Sequence, residues 1–167
     1  MEDQEKTQDG QEKKMLDFIR KIPIFSDLSV DHAKRVLSRC RKLSLVERNI
    51  LCSQGEPSDS LFILLTGKLA VRIKKSVTIA TIYPVTSIGE LGVFTGEHRS
   101  ATVEAMEKST LLRLEKSDID QLIESDPALG VNLMRKVIKV LAERIAEDNV
   151  KIREFQNYII SQEDEKE

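Results

Sequence analysis

A change of hydrophobic period in the middle of the chain constrains its fold more than any other feature. Between Leu43 and Leu114 the apolar residues alternate with polar ones or form short runs, separated by glycine-containing turns. Patterns of this kind are typical of short strands about ten residues apart. Short strands joined by such turns favour a β-sandwich or jelly roll. The predicted strands cover residues 43–45, 61–65, 69–73, 77–83, 101–106 and 110–114.

Helical patterns lie on both sides of the predicted strands. From Met15 the apolar residues take helical spacing, Pro23 interrupts it, and Ser29 is positioned to cap a second helix. After the strands, Ser117 with Asp120 three residues later predicts the capping box of another helix. The fold class is therefore α+β, a β-sandwich or jelly roll flanked by N-terminal helices and a long C-terminal helix.

The long C-terminal helix is predicted from a start signal and an uninterrupted run. Asp126 can cap it, and Pro127 suits its first position. Apart from Gly130, no glycine or proline then occurs before Ile160. At about 1.5 Å per residue, a helix over residues 127–160 would span roughly 50 Å.

Composition excludes several functional classes. The chain has 26 Lys and Arg against 28 Asp and Glu, a net charge of −2, which is not the basic balance of a nucleic-acid binder. Its longest apolar runs are far shorter than the roughly 20 residues that cross a bilayer. Its polar first residues lack the apolar core of a signal peptide. Two cysteines and two histidines form no zinc spacing, which argues against hydrolytic metal chemistry. Together these observations lead us to expect a cytoplasmic, non-enzymatic protein without membrane insertion.

The strongest local signal lies in residues 88–103. It predicts a short helix that begins at Gly89 and ends before Gly96, followed by a strand. A glycine at a helix start lets backbone N–H groups approach an anion, and Arg99 can form two parallel hydrogen bonds to the same anion. An ionised Glu90 only accepts hydrogen bonds, which suits a sugar hydroxyl. Each feature taken singly is also typical of a solvated surface residue, but together they indicate a nucleotide clamp.

Residues 88–103 resemble the phosphate-binding cassette of the cyclic nucleotide-binding domain family. That cassette has a Gly-Glu-(Leu/Ile) start, a short helix and an Arg-(Ser/Thr/Ala)-Ala-(Thr/Ser/Val) end, which correspond here to Gly89-Glu90-Leu91 and Arg99-Ser100-Ala101-Thr102. The similarity includes Gln54-Gly55-Glu56-Pro57 and covers about residues 14–145. It is especially similar to the sensor domains of bacterial catabolite activators and of bacterial cyclic-nucleotide-gated channels.

The resemblance implies roles for the residues of the cassette. Glu90 would accept a hydrogen bond from the ribose 2′-hydroxyl, Arg99 would pair with the cyclic phosphate, and Ser100 would add its hydroxyl. Backbone N–H groups near the sugar and phosphate would come from Gly89, Leu91 and Ala101.

The resemblance also implies a base pocket. Its wall would be formed by Val71, Ala80 and Ile82, and Arg144 would lie on the long helix over the purine. A solvated arginine on the helix surface is the alternative for Arg144. The chain departs from the family near Val85, where a glycine is usual, so we expect a differently shaped loop before the cassette.

The implied function is that of a cyclic nucleotide sensor, with cAMP favoured over cGMP as the ligand and an unknown protein effector as a downstream partner. A dimerising interaction module with a vestigial pocket is the alternative, and the presence of both Glu90 and Arg99 argues against it. Family transcription factors continue into a helix-turn-helix module that these residues lack, so no nucleic-acid partner is expected. The implied organisation is a disordered acidic tail over 1–13, the nucleotide-binding roll over 14–126, a lid and dimerisation helix over 127–160, and an acidic tail over 161–167.

A heptad-like seam along the long helix predicts a partner. Its members recur in steps of four and three residues, as in a coiled coil. Packing of the helix on its own domain is the alternative, and we expect it for the first two turns. Beyond Ile145 the helix outruns the domain, which favours a homodimer, and Asp148 would interrupt the seam unless it pairs with a cation such as Lys151. The seam positions are Met134, Ile138, Leu141, Ile145, Asp148, Ile152, Phe155 and Ile159.

Overall fold

The computed structural model describes residues 14–73 and 77–164, with side chains as far as residue 158. The tail predicted over residues 1–13 and the last three residues of the chain lie outside the described residues. The helices are α1 (14–19), α2 (Val30–Arg39), α3 (Glu90–Thr95), α4 (Lys116–Ser125) and α5 (Pro127–Asp164), with a 3-10 turn at Pro23–Phe25. The strands are β1 (Arg41–Leu45), β2 (Ile50–Cys52), β3 (Ser60–Thr66), β4 (Leu69–Ile73), β5 (Val77–Ile82), β6 (Thr86–Ile88), β7 (Thr102–Ala105) and β8 (Ser109–Glu115).

The strands form two antiparallel four-stranded sheets with the orders β1-β8-β3-β6 and β2-β7-β4-β5. Side chains from both sheets share one buried cluster, so the sheets pack face to face. This arrangement confirms the predicted β-sandwich or jelly roll. The cluster contains Leu45, Cys52, Phe62, Leu64, Leu69, Ile88, Val103, Ala105 and Leu111.

Strand β3 has an uninterrupted apolar run over residues 61–65, and both faces of the strand are buried there. Phe62 and Leu64 belong to the cluster between the sheets, whereas Leu61 and Ile63 belong to a second cluster built with the helices. Successive side chains of a strand point to opposite faces, so a strand buried on both sides has no polar face to show. The helices and the 3-10 turn contribute Ile19, Phe25, Val36, Leu122, Leu129 and Leu133 to the second cluster.

The two halves of α5 differ in burial. At its start, Asp126 Oδ1 accepts a hydrogen bond from the Leu129 N–H (3.0 Å) and Pro127 is the first helical residue, as predicted. Residues 127–140, the packed half, bury Leu129, Leu133, Val137 and Val140 in the helical cluster. Residues 141–158, the exposed half, leave Ile145, Val150, Ile152, Phe155 and Tyr158 exposed.

Three local predictions differ from the structure. Helix α5 ends at Asp164 instead of Ile160, because the first four residues of the predicted acidic tail contain no glycine or proline to stop it. The strands β2 and β6 were missed because three residues are too few to show alternation. Ser117 does not cap α4, which begins at Lys116, whose N–H donates to the Asp59 carbonyl oxygen (2.7 Å).

Candidate functional site

A cavity of about 500 Å³ lies between the second sheet, residues 88–103 (the α3 segment) and α5. This volume is in the range of small-molecule sites. All the residues to which the sequence analysis gives a ligand-binding role line this cavity, although they come from β4, β5, the α3 segment and α5. They are Val71, Ala80, Ile82, Gly89, Glu90, Leu91, Arg99, Ser100, Ala101 and Arg144.

Two glycines set the position of α3. Gly89, its N-cap, has a φ of 88°, and Gly96, its C-cap, has a φ of 80° and donates its N–H to the Gly92 carbonyl oxygen (2.8 Å). Both φ values lie in the left-handed region, where residues with a Cβ are uncommon. At Gly89 a side chain would also collide with Nη1 of Arg99. The predicted bounds of the short helix are confirmed, and Gly89 lets the Arg99 guanidinium reach the start of α3.

Arg99 is a buried cation with unused donors. The residue is 7% exposed, Nη2 donates to the Ser60 carbonyl oxygen (2.7 Å), and the guanidinium carbon lies 5.4 Å from the centre of the Phe62 ring. Nε and Nη1 have no hydrogen-bond partner among the described residues. A buried charge with unpaired N–H groups is costly unless an anion compensates it. This side chain is therefore suited to receive an anion.

A tight turn holds the backbone of Arg99. The Arg99 N–H donates to the Glu56 carbonyl oxygen (2.8 Å), and the Arg99 carbonyl oxygen accepts from the Gly55 N–H (2.8 Å). The Glu56 carboxylate accepts a hydrogen bond from the Ser53 N–H (2.8 Å), and this bond is the main cause that lowers the pKa of Glu56. The turn at residues 54–57 thus determines where Arg99 enters the cavity wall.

Glu90 is a buried carboxylate that pairs with an arginine on the opposite side of the cavity. It is 2% exposed at the first position of α3, and its Oε1 forms an ion pair with Nη1 of Arg144. The Arg144 side chain is 44% exposed, and its Nη2 lies 3.4 Å from the Ser87 carbonyl oxygen. Oε2 of Glu90 has no hydrogen-bond partner among the described residues. One oxygen of a buried carboxylate is thus available to a donor in the cavity.

The apolar wall lies on two paired strands and continues into a strained loop. Val71 of β4 pairs with Ala80 of β5, and Ile82 lies two residues further along β5. In the following loop, Val85 has a φ of 72° and its N–H donates to the Leu64 carbonyl oxygen (3.0 Å). A β-branched residue in this left-handed conformation carries strain on the order of 1–3 kcal/mol. The backbone at Val85 therefore takes a conformation that favours glycine, although the side chain departs from the family pattern.

Sequence reasoning missed several residues that line the cavity. Glu147, Asp148 and Lys151 follow Arg144 along the same face of α5, and their helical spacing could have identified them. Asp148 pairs with Lys151 (2.9 Å), which confirms the expected partner of this polar seam position. The other missed residues include Cys52, Ser58 and Tyr83, which lie on strands, turns and loops without a recognisable motif, and His98, which lies within the α3 segment.

The cavity offers hydrogen-bond donors on Arg99 and an acceptor on Glu90 that are unpaired within the described part of the chain. Among the described side chains of residues 14–73 and 77–158, no group of three or more His, Cys, Asp or Glu could hold a metal ion. Burial raises the pKa of the Cys52 thiol, which leaves it protonated at neutral pH. None of the described helices combines the length and the hydrophobicity that spanning a bilayer requires.

The fold is a β-roll with a cavity of small-molecule size, and comparison with known families gives its class. A family model described as "Cyclic nucleotide-binding domain" matches residues 42–126, about half of the chain. The chain belongs to the cyclic nucleotide-binding domain family.

Relatives and solved structures agree with this family. A cyclic nucleotide-gated potassium channel from Mesorhizobium japonicum is 29% identical over 126 residues, which cover 72% of this chain and 35% of the channel. A cyclic nucleotide-binding domain from Methylobacillus flagellatus has a TM-score of 0.71 at 26% identity, over 83% of this chain and 80% of that one. The regulatory domain of Toxoplasma gondii PKA, solved with cAMP, shares the fold with a TM-score of 0.63 at 20% identity, over 68% of this chain and 44% of that one. The chain spans only 21% of the length of three mycobacterial relatives described as NTE family proteins.

Proposed function

We propose that the chain is a non-enzymatic sensor that binds a 3′,5′-cyclic nucleotide in this cavity, with cAMP preferred over cGMP. One observation carries the proposal. The α3 segment presents a buried arginine with free donors and a buried glutamate with a free acceptor to the same cavity. A cyclic nucleotide carries an anionic phosphodiester next to a ribose hydroxyl, and these two groups complement that pair of side chains.

Arg99 would bind the cyclic phosphate. Its unpaired Nε and Nη1 groups supply charge-assisted donors, and a cyclic phosphodiester has a single negative charge that one arginine can balance. The Ser100 hydroxyl and the backbone N–H groups of Gly89, Leu91 and Ala101 would complete the contacts.

Glu90 would accept the ribose 2′-hydroxyl at Oε2. This hydrogen bond would satisfy the acceptor that has no partner among the described residues. The wild-type protein should therefore reject 2′-deoxy-cAMP. Glu90→Gln keeps an acceptor but loses charge assistance, so we expect it to lose less affinity than Arg99→Ala and to discriminate less against the deoxy ligand.

Val71, Ala80 and Ile82 would contact the base, and Arg144 would cover the cavity as a lid. A guanidinium can stack on a purine as well as hydrogen-bond, so Arg144 suits this position. The preference for cAMP is supported by the resemblance to catabolite activators and by the cAMP found with the Toxoplasma relative.

Isothermal titration calorimetry of the purified chain with cAMP, cGMP and 5′-AMP tests the proposal. We expect one site per chain, tighter binding of cAMP than of cGMP, and weaker binding of 5′-AMP, whose phosphate is not tied into a ring. Tighter binding of cGMP would reverse the base preference and leave the clamp standing. If neither cyclic nucleotide binds, the sensor proposal is wrong and the dimerising module with a vestigial pocket is favoured.

We further propose that a second copy of the chain is a partner, through α5. A row of large apolar residues on one helix face is typical of a coiled-coil interface. Leu141 is partly buried in the helical cluster, and the Ile159 side chain lies outside the described residues. A protein effector would then read the ligand-dependent state of the helix, and a nucleic acid is not part of the proposal because the net charge is −2. The exposed seam positions are Met134, Ile138, Ile145, Ile152 and Phe155.

A further inference from the structure

Strand β5 lies at the edge of its sheet, and large apolar side chains lie beside that edge. It ends the order β2-β7-β4-β5 and pairs with β4 alone among the strands of residues 14–73 and 77–164. The N–H and C=O groups along the free edge of such a strand can pair with a strand of another chain. Val77 and Ile79 of β5 are 52% and 55% exposed, so an incoming strand would also cover apolar surface.

The other three outer strands of the two sheets are better protected against such pairing than β5. Strands β2 and β6 are three residues long, and β1 begins with two exposed cations, Arg41 and Lys42. Short length and charge are two devices by which natural sheets avoid edge-to-edge contacts. Strand β5 has six residues, with no charged residue and no proline among them. A register shift leaves Ile79 without a partner in β4, whereas residues 80–82 pair with β4 regularly.

The sequence of β5 is compatible with pairing to its own copy. Four of its six residues before Ile82 and after it in the facing strand would be β-branched, and β-branched residues favour strand pairing. No charge on β5 would repel a second β5, and a charged partner would find no counter-charge, because residues 76–89 contain no charged side chain. We infer that β5 is a self-pairing edge: two copies of the chain join their β5 strands antiparallel about a two-fold axis and form one continuous sheet. The contact does not depend on the proposed ligand.

Two-fold symmetry limits the registers that this contact can take. An antiparallel pair about such an axis places one residue opposite its own copy. The middle of β5 falls at Ile79 and Ala80, so one of these two residues should lie on the axis. A single pair of six-residue strands is smaller than the interface of a stable dimer, so the contact by itself should be weak and transient. Between copies already joined through α5, it would build larger assemblies.

Disulfide trapping tests the contact, because it records a weak encounter as a covalent product. Ile79→Cys and Ala80→Cys each place a thiol at the middle of β5, and facing residues of antiparallel strands are close enough for a disulfide. Ile50→Cys is the matched control, since Ile50 is 57% exposed at the start of β2, the other outer strand of the same sheet. After copper-catalysed oxidation by air, we expect the more reactive β5 variant to yield at least about fivefold more covalent dimer than the control. The wild type, which has Cys40 and Cys52, gives the background.

A charge added to the strand should remove the covalent dimer. Val77→Lys, combined with the cysteine variant that cross-links, should lower the yield to that of Ile50→Cys, because the lysine finds no counter-charge on the facing strand. Val77→Thr in the same background keeps a neutral β-branched residue and should retain the yield. Yields equal to the control in both cysteine variants, or a yield that Val77→Lys leaves unchanged, would overturn the inference. Circular dichroism establishes that each variant folds, and Thr78→Lys replaces Val77→Lys if the latter does not.

Sedimentation at hundreds of micromolar gives a second readout without added cysteines. If α5 joins two copies, the wild type should grow beyond a dimer with concentration, and Ile79→Lys should limit it to the dimer. If α5 does not, the wild type should grow from monomer to dimer, and Ile79→Lys should keep it monomeric. Ile50→Lys should behave as the wild type in either case. Equal effects of the two lysine variants, or no growth of the wild type with concentration, would contradict pairing through β5.

Discussion

The α3 segment and the exposed half of α5 are two walls of one cavity, and they are built differently. In the α3 segment, Glu90 and Arg99 are 2% and 7% exposed, and left-handed glycines cap the helix at both ends. In the exposed half of α5, Ile145 and Phe155 are 62% and 64% exposed. The first wall is held by burial and backbone hydrogen bonds, whereas the second is joined to the first through the ion pair of Arg144.

The difference teaches that a single helix can serve two purposes. The packed half of α5 completes the helical cluster, so its position belongs to the fold. The exposed half contributes little to that cluster, so we expect that a change in its position would not unfold the roll. A ligand shifts such an equilibrium only if it binds one arrangement more tightly, and the contact of Arg144 with the cavity is where the arrangements would differ.

The largest expected effect is at the buried wall. Arg99→Ala would leave a desolvated phosphate facing backbone dipoles, which should cost about 2–5 kcal/mol of binding free energy. This loss corresponds to cAMP binding weakened roughly thirtyfold or more, measurable by calorimetry. Arg153→Ala, on the exposed half of α5, is the control and should leave the affinity unchanged. A folded Arg99→Ala variant with the wild-type dissociation constant would contradict the clamp.

Two valines on α5 compare its halves directly. Val137 is 5% exposed in the packed half, and Val150 is 51% exposed in the exposed half. Val137→Ala removes buried methyl groups and leaves a cavity, so the free energy of unfolding should fall by about 2–3 kcal/mol. Val150→Ala should change it by less than about 0.5 kcal/mol. Urea denaturation followed by circular dichroism measures both, and equal losses would remove the distinction between the halves.

The seam on the exposed half should matter for assembly and not for binding. Ile152→Asp combined with Phe155→Asp places like charges at seam positions outside the set of cavity-lining residues. Analytical ultracentrifugation should then show a monomer, and calorimetry should show unchanged cAMP affinity. A wild-type chain that is monomeric at tens of micromolar would make the coiled-coil prediction wrong.

The smallest expected effect concerns Asp126, the residue that caps the start of α5. The hydrogen bond from the Leu129 N–H, followed by contacts with Arg35 and His32, holds the pKa of Asp126 below its usual range. In the unfolded chain the pKa of an aspartate is about 3.9. Because the folded pKa of Asp126 is lower, its carboxylate stabilises the fold at pH values above the unfolded pKa, and this contribution is lost as the pH falls through the folded pKa. Asp126→Asn keeps a capping side chain without the charge. The melting temperature of this variant should be below that of the wild type at neutral pH, and the difference should become smaller as the pH falls. A difference that is constant over the acid range would exclude the charge as its cause.

Local rules were sufficient where the structure depends on near neighbours. Ser29 caps α2 by accepting the His32 N–H (3.1 Å), and Asp126 caps α5 in the same manner. Gly89 and Gly96 bound α3 because each has a positive φ. These features follow from side chains acting on backbone within about four residues, which a sequence displays directly.

The strand pairing and backbone hydrogen bonds between residues distant in sequence were not predicted. Strand β6 is three residues long and exists through its pairing with β3, and α4 begins before Ser117 because the Asp59 carbonyl oxygen takes the Lys116 N–H. Neither partner is close in sequence, so no periodicity indicates it. The cavity residues on α5 after Arg144 share its helix face by their spacing, which identifies them once Arg144 is placed at the cavity.

The sequence by itself determined the succession of the helices and of the longer strands, the short helix between two glycines, and the residue types of the clamp. Only the tertiary structure decided that Arg99 is buried with free donors, because its position depends on hydrogen bonds to Gly55 and Glu56 in a distant turn. The partner of Glu90 was also decided there, since Arg144 lies 54 residues away on another element. Local conformation follows from neighbouring residues, whereas the burial and pairing of a charge depend on which elements pack around it.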